Sequence, residues 1–236
     1  MSLLTMITQC ARRIGINAPA SVSSSADPAV IQLMAIANEE GQDLASRYAW
    51  QALQTQSTFS TVATESQGVM TTLAGAGFRY IVNNAMWNRT LLRPVFGPLS
   101  PGAWQELKAR NVTGPYNQFR IKGNELLFIP VPAASQTIAF EWVSRNWVNV
   151  TAGGTTAAAW TADADTGVLD EEVMTAGVIW RWQQAKGLEY AENYAKYERL
   201  VSDLMARDGG KPTLNMGTDF QSWPAGVFLP LGSWSL

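Results

Sequence analysis

The acidic residues between positions 163 and 172 are the side chains whose types and spacing could support chemistry. The stretch D-A-D-T-G-V-L-D-E-E contains Asp163, Asp165, Asp170, Glu171 and Glu172. A calcium-binding loop requires oxygen ligands at its positions 1, 3 and 5, glycine at position 6 and glutamate at position 12. Counted from Asp163, positions 5, 6 and 12 hold glycine, valine and methionine. The calcium pattern therefore fails, and we predict no metal site.

The same acids could form the carboxylate pair of a glycoside hydrolase, in which one carboxyl donates a proton and the other activates water or attacks the sugar. Clustered acids at a helix start are more often caps, because carboxylates accept from the free amides there and stabilise the positive end of the helix dipole. We interpret Asp170 as an N-cap followed by two acids of the first turn. We predict no catalytic residue and no enzyme activity, with a hydrolase as an alternative.

Composition removes several other kinds of chemistry. The 236 residues include no histidine, which removes the commonest general base and the Ser-His and Cys-His nucleophile pairs. The single cysteine, Cys10, lies in an apolar helical pattern and is interpreted as a small buried hydrophobe. No phosphate loop or dinucleotide fingerprint occurs, so no cofactor is predicted. A net charge of −2 gives no basic field for direct nucleic-acid binding.

The elements that must position these residues change in type along the chain. At both ends of the chain, apolar residues recur with the period of a helix, and Ser2 and Asp27 are predicted N-caps. In the middle, β-branched and polar residues alternate as in strands, and Gly123-Asn124 predicts a hairpin turn. We predict an α+β fold: an α-helical bundle with an inserted small antiparallel β-module and an extended C-terminal arm. The predicted parts are N-terminal bundle helices in 1–54, the β-module in 55–150, a flexible loop in 151–169, C-terminal bundle helices in 170–210 and a docking arm in 211–236.

Aromatic residues give the candidate contact sites. Trp160 lies in the Thr/Ala/Gly-rich range 151–169, and we predict that it is exposed and contacts a partner. Other tryptophans, such as Trp142, Trp180 and Trp182, lie in periodic segments and indicate core or interface positions, although sugar stacking is an alternative. The range 211–236 has too many aromatics for a typical disordered tail and predicts a docking arm. Its candidate contact residues are Phe220, Trp223, Phe228, Leu229, Leu231 and Trp234.

Three segments stand out in the order of the chain: the N-terminal helical block, F-R-I-K-G-N-E-L-L-F-I-P-V-P, and W-R-W-Q-Q-A-K-G-L-E-Y-A. Together they resemble the head-to-tail adaptor family of tailed bacteriophages, variously called tail accessory factor, tail tubular protein A or head–tail connector. The resemblance implies a structural protein that forms a ring of about twelve subunits beneath the portal. Such a ring extends the DNA channel and provides the platform for tail attachment.

The resemblance also implies partners. The C-terminal arm would bind the portal protein, and the β-module would face a downstream tail protein such as a nozzle, tube, fibre or spike. Trp160 would contact such a tail protein or a neighbouring subunit. Double-stranded DNA would pass through the channel without specific binding. The protein would lie in the neck or tail of the virion after assembly in the host cytoplasm. The sequence has no apolar run of about 18 residues, so no membrane anchor is predicted. The alternatives are a virion-associated cell-wall hydrolase and a glycan-binding tail component.

Overall fold

Two helical segments flank a run of short strands in the computed structural model, which describes residues 1–110 and 114–209. The helices are α1 (Leu3–Ile14), α2 (Pro28–Arg47), α3 (Met70–Leu73), α4 (Pro101–Arg110), α5 (Glu171–Ala185) and α6 (Ala191–Arg207). The strands are β1 (Gln54–Ser60), β2 (Ser66–Val69), β3 (Phe78–Asn88), β4 (Arg93–Pro94), β5 (Gln118–Lys122), β6 (Glu125–Ile129), β7 (Thr137–Ser144), β8 (Val148–Val150), β9 (Thr155–Ala157) and β10 (Thr166–Gly167).

The helix ends follow the sequence closely. The side chain of Ser2 accepts a hydrogen bond from the Thr5 amide at the start of α1, and Gly15 ends that helix with φ of +79°. Asp27 caps α2 through the Ala29 amide, with Pro28 in the first turn. These caps confirm the predicted starts of both helices.

The strands form three antiparallel sheets. The first sheet has the order β1-β7-β3-β4, the second β2-β6-β5 and the third β10-β8-β9. The hairpin of β5 and β6 turns at Gly123 and Asn124, whose φ angles of +58° and +67° match a two-residue turn with both residues left-handed. The predicted hairpin is therefore confirmed.

Two hydrophobic cores hold the chain together. The sandwich core lies between the first and second sheets and contains Phe119, Phe128 and Phe140, among others. The helical core joins α1, α2, α5 and α6, and the strand region supplies Val143, Trp147 and Val148 to it. Strand β7 therefore contributes side chains to both cores, because successive residues of a strand point to opposite faces.

The predicted fold class is wrong. The described residues form six α-helices and three antiparallel sheets in a mixed architecture, not a helical bundle that carries a small β-module. The strands line one core and enter the other, so they are part of the framework of the fold. The pattern of the sequence underestimates them because β4, β8, β9 and β10 span only two or three residues each, which is too short for a visible alternation.

The range 151–169 includes β9 and β10 and several hydrogen bonds described below, so it is not without regular structure. The docking arm, with Phe220, Trp223, Phe228, Leu229, Leu231 and Trp234, lies outside the residues that the structure describes. Its role stays a prediction.

Candidate functional site

Asp163 ties the loop before α5 to the connection between α1 and α2. Its carboxylate accepts hydrogen bonds from the Ser21 hydroxyl at 2.6 Å, from the Val22 amide at 3.0 Å and from the Ser23 amide at 2.7 Å. Desolvation would raise the pKa of Asp163, but these three donors outweigh it and the pKa is lowered. Both carboxylate oxygens thus serve to join two loops.

Asp165 organises the loop in the same way from a fully buried position. Its side chain has no exposed surface. It accepts hydrogen bonds from the amides of Thr151, Thr161 and Ala162 at 3.2, 2.9 and 2.8 Å, and from the Thr161 hydroxyl at 2.6 Å. Burial would raise its pKa, but the hydrogen bonds to the charged form lower it overall. A carboxylate with four protein donors and no contact with solvent is suited to holding a loop.

We expect Asp165→Asn to destabilise the fold by about 2 kcal/mol, because an amide replaces a charged acceptor of several buried donors. The stability that Asp165 contributes is present above its ordinary pKa of 3.8 and is lost as pH falls through the lower folded value. Urea denaturation at pH 7 and pH 3 measures both effects. Asp203→Asn, at an exposed position of α6, is the control; equal stability of the two variants would contradict this role.

The remaining acids of the stretch act at the start of α5. Asp170 accepts hydrogen bonds from the Glu172 and Val173 amides at 2.9 and 3.0 Å, which confirms the predicted N-cap. Glu171 forms an ion pair with the N-terminal ammonium of Met1. The acids that could have formed a hydrolytic pair are thus mostly used in caps, loop anchors and an ion pair.

The structure contradicts the predicted exposure of Trp160. Only 4% of its surface is exposed. Its ring contacts that of Trp147 edge-to-face, with the centroids 5.3 Å apart, and the Asn38 side chain accepts a hydrogen bond from its amide. A Thr/Ala/Gly-rich context suggested solvent, but the loop is drawn onto the helical core by its aromatic side chain. The proposed partner contact of Trp160 therefore has no support from an exposed ring.

A buried charged cluster that the sequence analysis missed joins three helices. Glu40 of α2 is fully buried and accepts hydrogen bonds from Nε of Arg181 at 2.7 Å and from the Tyr197 hydroxyl at 2.6 Å. Arg181 of α5 also pairs with Glu39 and Asp43. The signal was present in the sequence, because Glu40 falls on the apolar stripe of α2, where an acid needs a partner.

Desolvation raises the pKa of Glu40, in spite of the opposing hydrogen bonds from Tyr197 and Arg181. A raised carboxyl pKa is common in catalytic acids, but it also occurs in structural networks. Here the carboxyl has no exposed surface, and Tyr197 is equally buried. The arrangement therefore fixes α2, α5 and α6 relative to one another and gives a substrate no direct access.

The surface most suited to binding lies beside β4 and β5 and is called the β4–β5 surface. It is defined by Leu92, Arg93, Phe96, Tyr116 and Val131, and hydrogen bonds join its segments. Arg93 donates to the Pro115 carbonyl, the Phe96 amide to the Asn117 carbonyl and the Asn117 side chain to the Pro130 carbonyl. Phe96 and Tyr116 contact each other edge-to-face, with centroids 5.6 Å apart. All four apolar or aromatic members are exposed.

Leu92 is the most unusual residue of this surface. It is 78% exposed and its φ is +54°, in the left-handed region that a leucine adopts at a cost of about 1 kcal/mol or more. In an isolated subunit, exposure of the apolar side chain to water and the positive φ both disfavour leucine at this position. An exposed apolar residue with a strained backbone is a candidate for contact with another molecule.

Charge is also unevenly distributed. Seven of the seventeen arginines and lysines, but a single acid, Glu106, lie between Arg79 and Lys122. This range contains β3, β4, α4 and β5. The chain has a net charge of −2, but this stretch of its sequence is basic. Two of its basic residues are paired: Lys108 with Glu65 and Arg110 with Glu106.

Comparisons with known proteins do not assign the chain to a family: no protein-family model matches it, and no curated protein matches it significantly. No helix within residues 1–110 and 114–209 is long and apolar enough to span a membrane. The functional argument therefore rests on the surface and the buried groups described above.

Proposed function

We propose that the chain is a structural head-to-tail adaptor of a tailed bacteriophage, which forms a ring below the portal and provides the attachment platform for the tail. The single observation that carries this proposal is the β4–β5 surface, where an exposed leucine with strained backbone lies beside an exposed aromatic pair. We interpret this surface together with the three sequence segments that resemble the adaptor family. Ring closure requires two different surfaces of each subunit to meet.

The uneven charge supports the same proposal. A basic stretch in a slightly acidic subunit favours one orientation of a neighbour over the other, because complementary potentials fix register and discourage wrong pairings. The portal, a downstream tail protein and a ring of about twelve copies are the proposed partners. DNA passing through the channel and a position in the virion neck belong to the same proposal.

The two alternatives have less support from the described residues. A hydrolase would need accessible carboxylates, whereas Asp163, Asp165 and Asp170 accept hydrogen bonds that hold loops and a helix start. A glycan-binding protein would use exposed tryptophan rings, whereas Trp142, Trp180 and Trp182 are at most 8% exposed. The burial of these three residues agrees with the predicted core or interface positions.

Mass photometry of the purified chain, alone and mixed with its cognate portal ring, tests the proposal. We expect the portal to gain mass in a defined multiple of the subunit. Leu92→Gly should weaken this assembly by about thirtyfold, the effect of losing a central apolar contact. The same substitution should leave the subunit as stable or up to about 1 kcal/mol more stable, because glycine relieves the positive φ.

The control variant is Ile31→Ser, which removes an apolar side chain that is 53% exposed and lies on α2. Serine is used instead of glycine because glycine would destabilise the helix. We expect this variant to assemble like the wild type. A portal that gains no mass would overturn the adaptor proposal, and equal assembly of Leu92→Gly and wild type would overturn the role of the β4–β5 surface.

A further inference from the structure

The hairpin between β3 and β4 presents two leucines at its tip. Strand β3 ends at Asn88 and β4 begins at Arg93, so residues 89–92 form the turn, which we call the β3–β4 tip. In this turn, Leu91 is 42% exposed and Leu92 is 78% exposed. Tight turns favour glycine, asparagine and aspartate, because these residues adopt positive φ angles at low cost. The β3–β4 tip instead offers apolar side chains to its surroundings.

Hydrogen bonds fix the backbone of the tip to the neighbouring strand. The Arg89 amide donates to the Thr137 carbonyl at 2.8 Å, and the Thr137 amide donates to the Thr90 hydroxyl at 2.9 Å. The Leu91 amide donates to the Asn88 side chain at 2.9 Å. Because these bonds hold the tip before any contact forms, little conformational entropy is lost when the tip is bound.

A cavity of about 220 Å³, which we call the α2 cavity, opens beside the C-terminal end of α2. Its lining includes the apolar side chains of Leu44, Trp50, Val168, Leu169 and Leu204. Nε1 of Trp50 donates to the Leu44 carbonyl at 2.7 Å, so the polar atom of the indole already has a partner. An apolar cavity of about 150 Å³ is large enough for a benzene molecule, so a leucine side chain fits this one.

The tip and the cavity lie toward opposite ends of strand β7. Asn88, which precedes the tip, pairs with Ile138. Gln54, two residues after the cavity residue Ala52, pairs with Val143. Ile138 and Val143 are about 17 Å apart along the strand, so the tip does not reach the cavity of its own chain. A tip that fills such a cavity belongs to another copy, and this head-to-tail arrangement is the one that a ring requires.

The charges beside the tip and around the cavity are complementary. Arg89 and Arg93 adjoin the two leucines, are exposed and form no ion pair within residues 1–110 and 114–209. The cavity lining also includes Asp170, Asp208 and Arg207, so its charged groups are acidic on balance. Opposite charges favour a tip against a cavity, whereas two tips placed together would bring their arginines into repulsion.

We propose that the β3–β4 tip of one subunit inserts Leu92 into the α2 cavity of the next subunit, with Arg89 and Arg93 near its acidic side chains. This inference rests on the proposed ring and names the two surfaces that meet in it. Burial of Leu92 in the neighbour removes its apolar side chain from water. The unfavourable exposure of Leu92 in a single subunit is thereby relieved on assembly.

Disulfide cross-linking between two variants of the full-length protein tests this contact. Leu92→Cys places a thiol on the tip, and Ala52→Cys places one at an exposed position of the cavity wall. The native Cys10 is fully buried and does not react. The two variants are mixed, with and without the cognate portal ring, and oxidised. We expect a dimer with one copy of each variant, formed at least about tenfold more than dimers of either variant alone, because the contact raises the effective concentration of the two thiols.

The control is Ile31→Cys mixed with Leu92→Cys. Ile31 is 53% exposed and lies about 20 Å along α2 from Leu44 of the cavity, so we expect no preferential cross-link. Absence of the cross-link between Leu92→Cys and Ala52→Cys in both mixtures would overturn the inference, even if the portal gains mass. A cross-link without any gain of mass by the portal would support this contact and overturn the adaptor proposal.

A chain that carries both Leu92→Cys and Ala52→Cys tests the direction of pairing. Head-to-tail contacts link each chain to two others, so we expect a ladder of cross-linked products larger than the dimer. Products that stop at the dimer would show a reciprocal pair of subunits and would overturn the head-to-tail contact.

Thiol labelling of Ala52→Cys tests whether the cavity is open in the single subunit. We expect labelling in dilute protein to be about as fast as for Ile31→Cys, and at least about tenfold slower in the assembled protein, because the neighbouring tip covers the cavity. Slow labelling that does not depend on concentration would show that the cavity is covered within its own chain. That result would overturn the inference.

Discussion

Replacing Gly41 with alanine is expected to destabilise the protein by about 3 kcal/mol, although alanine is normally the better helix former by about 1 kcal/mol. Gly41 lies in the middle of α2, and a Cβ built there overlaps the six-membered part of the Trp147 indole ring. Trp147 is fully buried in the helical core and contacts Trp160. Both rings are buried, so the indole of Trp147 cannot swing out into solvent.

Gly102→Ala is the matched control for this prediction. Gly102 also lies in a helix, α4, but a Cβ there meets no atom within 4 Å. We expect this variant to be as stable as the wild type or up to about 1 kcal/mol more stable. Chemical denaturation followed by tryptophan fluorescence measures both. A Gly41→Ala variant that gains stability like the control would show that α2 and Trp147 are not packed as described.

Replacing Glu40 with alanine is expected to cost about 3–5 kcal/mol. The substitution removes the acceptor of the Tyr197 hydroxyl, which is fully buried, and of Nε of Arg181, whose side chain is only 12% exposed. Arg181 keeps Glu39 and Asp43, but these acids are 65% and 50% exposed and contribute less. Glu39→Ala is therefore the matched control, with an expected loss below about 1 kcal/mol.

Glu40→Gln separates charge from packing at the same position. Burial raises the pKa of Glu40 and so opposes its charge. A neutral amide that still accepts the hydrogen bond from Tyr197 should therefore lose less stability than alanine does. The stability that this titration contributes is full below the ordinary value of 4.5 and decreases as pH rises through the folded pKa. Denaturation curves from pH 4 to pH 8 should therefore fall less for Glu40→Gln than for the wild type. A glutamine variant as unstable as the alanine variant would contradict this explanation.

The sequence was most informative where a residue acts on its neighbours in the chain. Ser2, Asp27 and Asp170 cap the helices that follow them, and Gly123-Asn124 forms the turn between β5 and β6. Each of these features depends on hydrogen bonds or backbone angles within a few residues. A single sequence is sufficient to predict such local features.

Other features depend on contacts between distant segments, and these were missed. Strand β1 pairs with β7 across about eighty residues of chain, and no local pattern specifies that register. Trp160 was predicted to be exposed because its neighbours are small and polar, although a distant ring covers it. Glu40 was not singled out because its partners, Arg181 and Tyr197, lie far along the chain. The close contact between Gly177 and Glu40, where a Cβ would overlap the carboxyl, is likewise visible only in three dimensions.

The position of Trp147 has a mechanical consequence. It follows β7 by three residues, and its ring is held in the helical core against Gly41. Pulling or twisting the β sandwich relative to the helices would therefore require extraction of a large indole ring, not extension of a slack linker. We therefore expect a force on the β sandwich to be transmitted directly to α2, through the packing of Trp147 against Gly41.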